Sequence, residues 1–206
     1  MKKWMAVFLF AAACMIMTAG TVLADRVGGQ VGSYPSGNTA TGPYVNVYVT
    51  VPAVPVYCFY SSFMRDHMWT ASADEKEQLQ NSYETGKETY QLQGVSGYAE
   101  QSASDWNMPV YRFWNKRTTD HFYTTSESEK DQLEKDLASG KDHYEYEGIA
   151  WYVPKSSDTP VYRFFDTQAF NHFYTSDEDL KTSLSQAYLN GTGSYRYEGI
   201  AWYWYE

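Results

Sequence analysis

Cysteine is nearly absent from this 206-residue chain, which has Cys14 and Cys58 and no other. Cys14 falls in an N-terminal leader. The rest of the chain therefore has one cysteine, which excludes an internal disulfide even in an oxidising compartment. Cys58 sits in an apolar strand pattern, so a buried, inert thiol is expected. Basic charge is also in short supply. Sixteen Lys and Arg face 25 Asp and Glu. Losing Lys2 and Lys3 with the leader takes the basic count to 14, a net charge of −11. That balance argues against holding nucleic acid or an anionic bilayer by charge. No long hydrophobic run is present either. The apolar stretch Trp4 to Met17 is shorter than the ~18–20 residues a spanning helix needs. Catalytic signatures are missing as well: there is no G-x-S-x-G elbow, H-E-x-x-H pair or glycine loop for phosphate. Most carboxylates fall on expected helix surfaces, where they are solvated.

The leader has its own grammar. Lys2 and Lys3 precede the apolar run, and Val22-Leu23-Ala24 offers small residues for cleavage. Residues 1–24 read as a signal peptide, with Asp25 the first mature residue. A lipoprotein cut before Cys14 fits less well, because Ala11-Ala12-Ala13 is a poor lipobox. An extracellular or periplasmic protein follows, with no membrane association after cleavage. Residues 25–43 are rich in Gly, Ser, Thr and Pro and read as a flexible segment. Tyr44 to Val51 is β-prone. Residues 44–206 are of a size for a single domain.

Aromatics are abundant: 20 Tyr, 10 Phe and 7 Trp. They supply a core where disulfides cannot, since each buried ring removes ~150–250 Å² from water. They also recur at a fixed period, which decides the architecture before any local signal does. Residues 55–98, 109–152 and 160–203 are three ungapped copies of one 44-residue repeat. Pro55, Pro109 and Pro160 open them. His67, His121 and His172 sit at one equivalent position. Gly94, Gly148 and Gly199 sit at another.

Within each copy the signals predict strand, strand, helix, strand. In the second copy the strands are Val110–Trp114, Phe122–Thr125 and Tyr144–Val153. Ser126 with Glu129 forms a capping box that starts the helix. Ser72 with Glu75 does so in the first copy, and Ser176 with Asp179 is the expected match in the third. Leu133 and Leu137 give an i,i+4 buried stripe, as do Leu79/Tyr83 and Leu184/Tyr188. Gly86, Gly140 and Gly191 are the helix stops. One such unit cannot bury its own apolar face, whereas three about an axis can. The expectation is an α+β fold of three strand-strand-helix-strand repeats in one closed pseudo-threefold domain. A β-trefoil is the alternative.

The motifs PVYRF (109–113), DHFYT (120–124) and YEGIAWY (146–152) return in the third copy as PVYRF, NHFYT and YEGIAWY. They resemble a family of short repeats in secreted, mainly microbial proteins. That family is catalogued as a domain of unknown function and often described as lectin-like. The resemblance covers about residues 55–203. Its members are often appended to extracellular enzymes, which implies a binding or adhesion module. The first copy departs from the pattern with Cys58, RDHMWT and Gly97.

Two constellations carry the candidate chemistry. Asp66-His67, Asp120-His121 and Asn171-His172 end the same turn in each copy. Three histidines on an axis could gather one zinc ion. The preferred reading is local: each histidine bonds its own turn, capped by Asp or Asn. A position repeated in every copy suits a fold requirement better than one shared metal, and hairpin turns tend to lie away from an axis. No metal and no cofactor is expected. The second set is Arg112, Glu147 and Trp151, with Arg163, Glu198 and Trp202. Strand alternation puts Glu147, Ile149 and Trp151 on one face. The first copy loses all three types together, having Cys58, Gln93 and Gly97. Joint loss suggests partners within one unit, so Arg112–Glu147 and Arg163–Glu198 are expected structural pairs. The functional counterpart is a sugar site. Trp151 and Trp202 would stack on the sugar, while Asp120, His121, Asn171 and His172 take its hydroxyls.

The functional expectation is a secreted, non-enzymatic recognition module that binds carbohydrate or a cell-envelope glycan. One alternative is a structural or protein-binding module that docks onto or inhibits another protein. The other is a hydrolase of unrecognised type.

Overall fold

The computed structural model describes residues 53–205. The expected leader, the 25–43 segment and the 44–51 strand lie outside the described residues. Unit one comprises β1 (Val54–Ser61), β2 (Asp66–Thr70), α1 (Ala73–Glu84) and β3 (Tyr90–Ala99). Unit two comprises β4 (Asn107–Asn115), β5 (Asp120–Thr124), α2 (Glu127–Ala138) and β6 (Tyr144–Pro154). Unit three comprises β7 (Pro160–Asp166), β8 (Asn171–Thr175), α3 (Glu178–Leu189) and β9 (Tyr195–Tyr203). Each unit holds one antiparallel three-stranded sheet with its first strand in the centre: β2-β1-β3, β5-β4-β6 and β8-β7-β9. The molecule is therefore α+β with three units, and each unit has the helix that a β-trefoil repeat lacks.

Helix starts are set by side chains that satisfy orphan amides. Ser72 and Ser126 accept from the amides of Glu75 and Glu129, each at 3.2 Å. The third helix starts one residue later than expected. Asp177, not Ser176, caps it, accepting from Leu180 N at 2.9 Å. Asp177 is the residue at the Ser72 and Ser126 position of its repeat. The box is not reciprocal either. The cap residue's own amide is taken by the threonine two residues before it, Thr70, Thr124 or Thr175. Glu75 and Glu129 are thereby left for another use. Helix ends follow the glycine rule. Gly86, Gly140 and Gly191 hold φ of 68°, 73° and 70°, which costs glycine little.

The helices bury less than the sequence suggests. Among the described residues Leu184 is the one buried helical residue, while Tyr83 and Leu137 are exposed. The i,i+4 stripe narrows to Leu79, Leu133 and Leu184. The five-residue second strands of each unit, β2, β5 and β8, carry the core instead and are buried along their whole length. Each touches the other two. The main apolar cluster draws on all three units, including Val56, Trp69, Val110, Tyr123, Val161 and Tyr174. Smaller clusters sit under α1 (Phe59, Met68, Tyr90) and α2 (Phe113, Phe122, Tyr144).

The first and third strands of each unit pair with two breaks of register. In unit two these fall between Val110 and Tyr111 and between Arg112 and Phe113. The other units break at the equivalent places. Each break is a bulge, which adds a residue and turns the following side chains to the other face.

Candidate functional site

The residues with the richest chemistry lie where units meet. At the contact of units one and two, Asp66 is fully buried and takes three bonds. Its carboxylate accepts His121 N at 3.2 Å, faces His121 Nδ1 at 2.6 Å and accepts the Tyr90 hydroxyl at 2.6 Å. Burial pushes the Asp66 carboxyl up, against the pull of His121 and Tyr90. Burial and the neighbouring Asp66 also raise Tyr90, so its hydroxyl stays a donor. The contact of units two and three repeats this arrangement. Asp120 accepts His172 N at 2.7 Å, faces His172 Nδ1 at 2.6 Å and accepts the Tyr144 hydroxyl. The histidines thus bond the aspartate of the preceding unit rather than their own turn. The turns are not remote from one another either: Thr119 bonds Met64 O, and Asn171 bonds Arg65 O.

A second layer lies at the same two contacts. The Arg112 guanidinium takes Glu75 of the preceding unit in a bidentate pair at 2.9 and 3.1 Å. Its Nε lies 2.8 Å from Glu147 of its own strand pair. Arg163 does the same with Glu129, at 3.0 and 3.2 Å, and with Glu198 at 3.1 Å. The within-unit partners are therefore present, but the planar two-bond fork points at the neighbouring helix. Burial alone would raise Glu75. The hydrogen bonds and charge of Arg112 outweigh it and hold the carboxyl below its usual value.

Units three and one meet through different residues. The counterparts of Arg112 and Glu75 are Cys58, which belongs to the main apolar cluster, and Leu180, which is partly buried against it. Asn171 replaces the aspartate. His67, opposite it, lies among the rings of Tyr60, Trp69 and Phe173 with its Nε2 unbonded. Burial lowers its pKa to about 3. The indoles of Trp151, Trp202 and Trp204 meet pairwise at 5.9, 6.0 and 5.5 Å. A small cavity of about 30 Å³ lies beside them, with Ser96, Thr175 and Asp177 among its lining residues. That is room for a water or two, and too little for a sugar ring.

Burial decides what the expected ligand residues can do. Trp151 and Trp202 are 1 % and 2 % exposed, so neither offers a free face for stacking. The alternation argument fails at the bulges. Ile149 is 46 % exposed although it lies two residues from Trp151, because a break of register falls between them. Asp120, His121, Asn171 and His172 are all buried in the contacts just described. Among the described residues, no group of three His, Cys, Asp or Glu is placed to hold a metal ion.

The exposed aromatic sites are elsewhere, on the outer face of each sheet beside the helix. In unit two Tyr111 and Tyr146 meet edge to face at 6.2 Å, with Lys130 Nζ 5.7 Å from the Tyr111 ring. In unit three Tyr162 and Tyr197 meet at 6.2 Å, with Lys181 Nζ 5.1 Å from the Tyr162 ring. Tyr146 and Tyr197 are each 38 % exposed, and Ile149 and Ile200 lie open beside them. Carboxylates stand within reach. Lys130 bonds Asp131 and Glu134, while Lys181 bonds Glu178, which also accepts the Tyr162 hydroxyl. Unit one keeps Lys76 over Tyr57 at 5.6 Å but has Leu92 in place of the second tyrosine. The signal for this site was in the sequence: a tyrosine precedes the Glu-Gly bulge in copies two and three and not in copy one.

No curated protein and no solved structure matches the chain. Residues 36–136 and 133–206 match a family in two segments, consistent with the internal repeat. Together they span most of the sequence, and the chain belongs to the family described as Domain of unknown function (DUF5648).

Proposed function

We propose that this protein is an exported, non-enzymatic recognition module that binds carbohydrate, such as a cell-envelope glycan, on the outer sheet faces of units two and three. The carrying observation is the repeated Tyr111/Tyr146 and Tyr162/Tyr197 pair, in which Tyr146 and Tyr197 are half-open to solvent while Tyr162 is buried beneath its partner, flanked by a lysine and carboxylates. A tyrosine ring gives an apolar face to the C–H side of a sugar. The Lys130 and Lys181 ammonium groups and the adjoining acids can bond its hydroxyls. The three units are read as closed about a pseudo-threefold axis. Support for this comes from the mutual contacts of β2, β5 and β8 and from the pairing of Tyr205 with Tyr98. Such a frame would hold the two faces in fixed relation, which favours a repetitive polymer over a single small molecule.

The test is a glycan array with the mature protein, followed by calorimetry on any polysaccharide that binds. Tyr146→Ala and Tyr197→Ala should each remove about half the binding sites and leave folding intact, since both rings are surface groups. The double variant should not bind. Unchanged binding in the double variant would sink this site. A second reading, docking onto another protein, rests on Phe63, Trp106 and Phe170, which are well exposed on loops.

A further inference from the structure

The missing tryptophan of unit one has a substitute. Val110 pairs with Trp151 and Val161 pairs with Trp202, but the equivalent Val56 pairs with Gly97. A Cβ built on Gly97 would stand 2.4 Å from the ring of Trp204. That distance is impossible for a real atom, so the glycine is required by the indole lying on it. Trp204 is 2 % exposed and makes the third corner of the tryptophan triangle. The backbone around it is tied on both sides. Trp204 N donates to Thr159 O at 2.9 Å, Ser157 Oγ donates to Trp204 O at 2.7 Å, and Tyr205 N donates to Tyr98 O at 3.2 Å.

We infer that Trp204 is unit one's tryptophan supplied from beyond the last repeat, and that residues 204–205 are a latch holding unit three to unit one. The rest of that contact keeps a hydrogen bond from Asn171 Nδ2 to Arg65 O but has a different set of charges from the other two. Leu180 and Cys58 stand where the other contacts have a bidentate Glu–Arg pair. The Arg65–Asp166 ion pair there is 3.7 Å long, with Arg65 largely exposed. The residual cavity lies at the same place, lined by Trp69 from unit one and Trp202 and Trp204 from the far end. This contact is the one by which the domain opens, and opening begins with release of the latch.

A positional exchange tests the first claim. Trp204→Ala removes the indole and Gly97→Trp collides with it, so each should lower Tm by roughly 10 °C. The double variant Gly97→Trp/Trp204→Ala moves the ring from the tail to the strand, as in units two and three, and should recover most of the loss. A double variant no more stable than the sum of the singles overturns the equivalence. Amide exchange in the unmodified protein tests the second claim and needs no variant to fold. Trp69 N–H and Tyr123 N–H report the other two contacts, through the hydroxyls of Tyr123 and Tyr174. The Trp204 and Tyr205 amides should exchange at least tenfold faster than these. Equal protection at all four overturns the latch.

Discussion

The contact between units one and two and the contact between units three and one use the same repeat positions with different chemistry. The first has Asp66 with His121, and Glu75 with Arg112. At the equivalent positions the second has Asn171 and His67, and Leu180 and Cys58. The arginine and its glutamate have gone together, to Cys58 and Leu180, although these positions lie more than 100 residues apart; the aspartate has gone to Asn171 while His67 remains. That pattern follows from the energetics of buried charge. Losing one member of a buried pair strands the other at a cost of ~3–5 kcal/mol, whereas replacing both with apolar groups is close to neutral. The Glu–Arg pair is absent as a set, and that set straddles two units rather than lying within one.

The strongest way to break this comparison is to remove an aspartate. Asp120→Ala leaves His172 and Tyr144 facing an apolar methyl inside the protein. A loss of about 3–5 kcal/mol is expected in urea unfolding. Asn171→Ala removes a neutral amide bonded to Arg65 O and should cost nearer 1 kcal/mol. Equal losses would mean that the two contacts are energetically alike.

An intermediate effect comes from the arginines. A double-mutant cycle on Arg112 and Glu75 should give a coupling of ~0.5–3 kcal/mol, toward the lower part because both groups are partly solvated. The Arg112–Glu147 cycle should couple less, having one contact in place of two. The converse also sharpens the comparison. Cys58→Arg and Leu180→Glu should each destabilise alone, and the two together should be less harmful than their sum. Additive losses would show that the positions are not partners across the third contact.

How much of this could be read from the sequence depends on range. Order within a repeat was legible. The strands, the helix and the stop at Gly86, Gly140 and Gly191 follow from local patterns, and three ungapped copies made each signal visible three times. Arg112 and Glu147 were legible as neighbours because they face each other in one sheet. The link from Arg112 to Glu75 was not. Nothing in either repeat marks a side chain that turns away from its own capping box to reach the next unit. The bulges did the most harm. One added residue between Ile149 and Trp151 moves them to different faces, so strict alternation points to a platform where the core lies. The aromatic pair Tyr146/Tyr111 on the outer face went unread for the same reason. The local pattern places the cap of α3 one residue early because Ser176 is also a good cap. Alignment to Ser126, rather than composition, points to Asp177.

The smallest expected effect comes from converting the third contact to the chemistry of the other two. His67 has no carboxylate opposite it, and burial holds its pKa at about 3 against 6.5 for the free side chain. Below pH 6.5 the unfolded chain takes up a proton that the folded chain refuses until about pH 3. Stability from this residue is therefore full above 6.5 and falls as pH drops through that window, by up to ~1.4 kcal/mol per pH unit. Asn171→Asp places a carboxylate where Asp66 and Asp120 stand for His121 and His172. It should raise the His67 pKa by at least two units in an NMR titration and flatten the slope between pH 6 and 5. At pH 7 the change should be within about 1 kcal/mol, because the new ion's burial opposes its pairing. The raised carboxyl of Asp66 contributes a slope of opposite sign, but it is common to both proteins and cancels in their difference. If His67 still titrates near 3 in the variant, the aspartate is not reaching it. The third contact would then differ from the others in backbone geometry as well as in side chains.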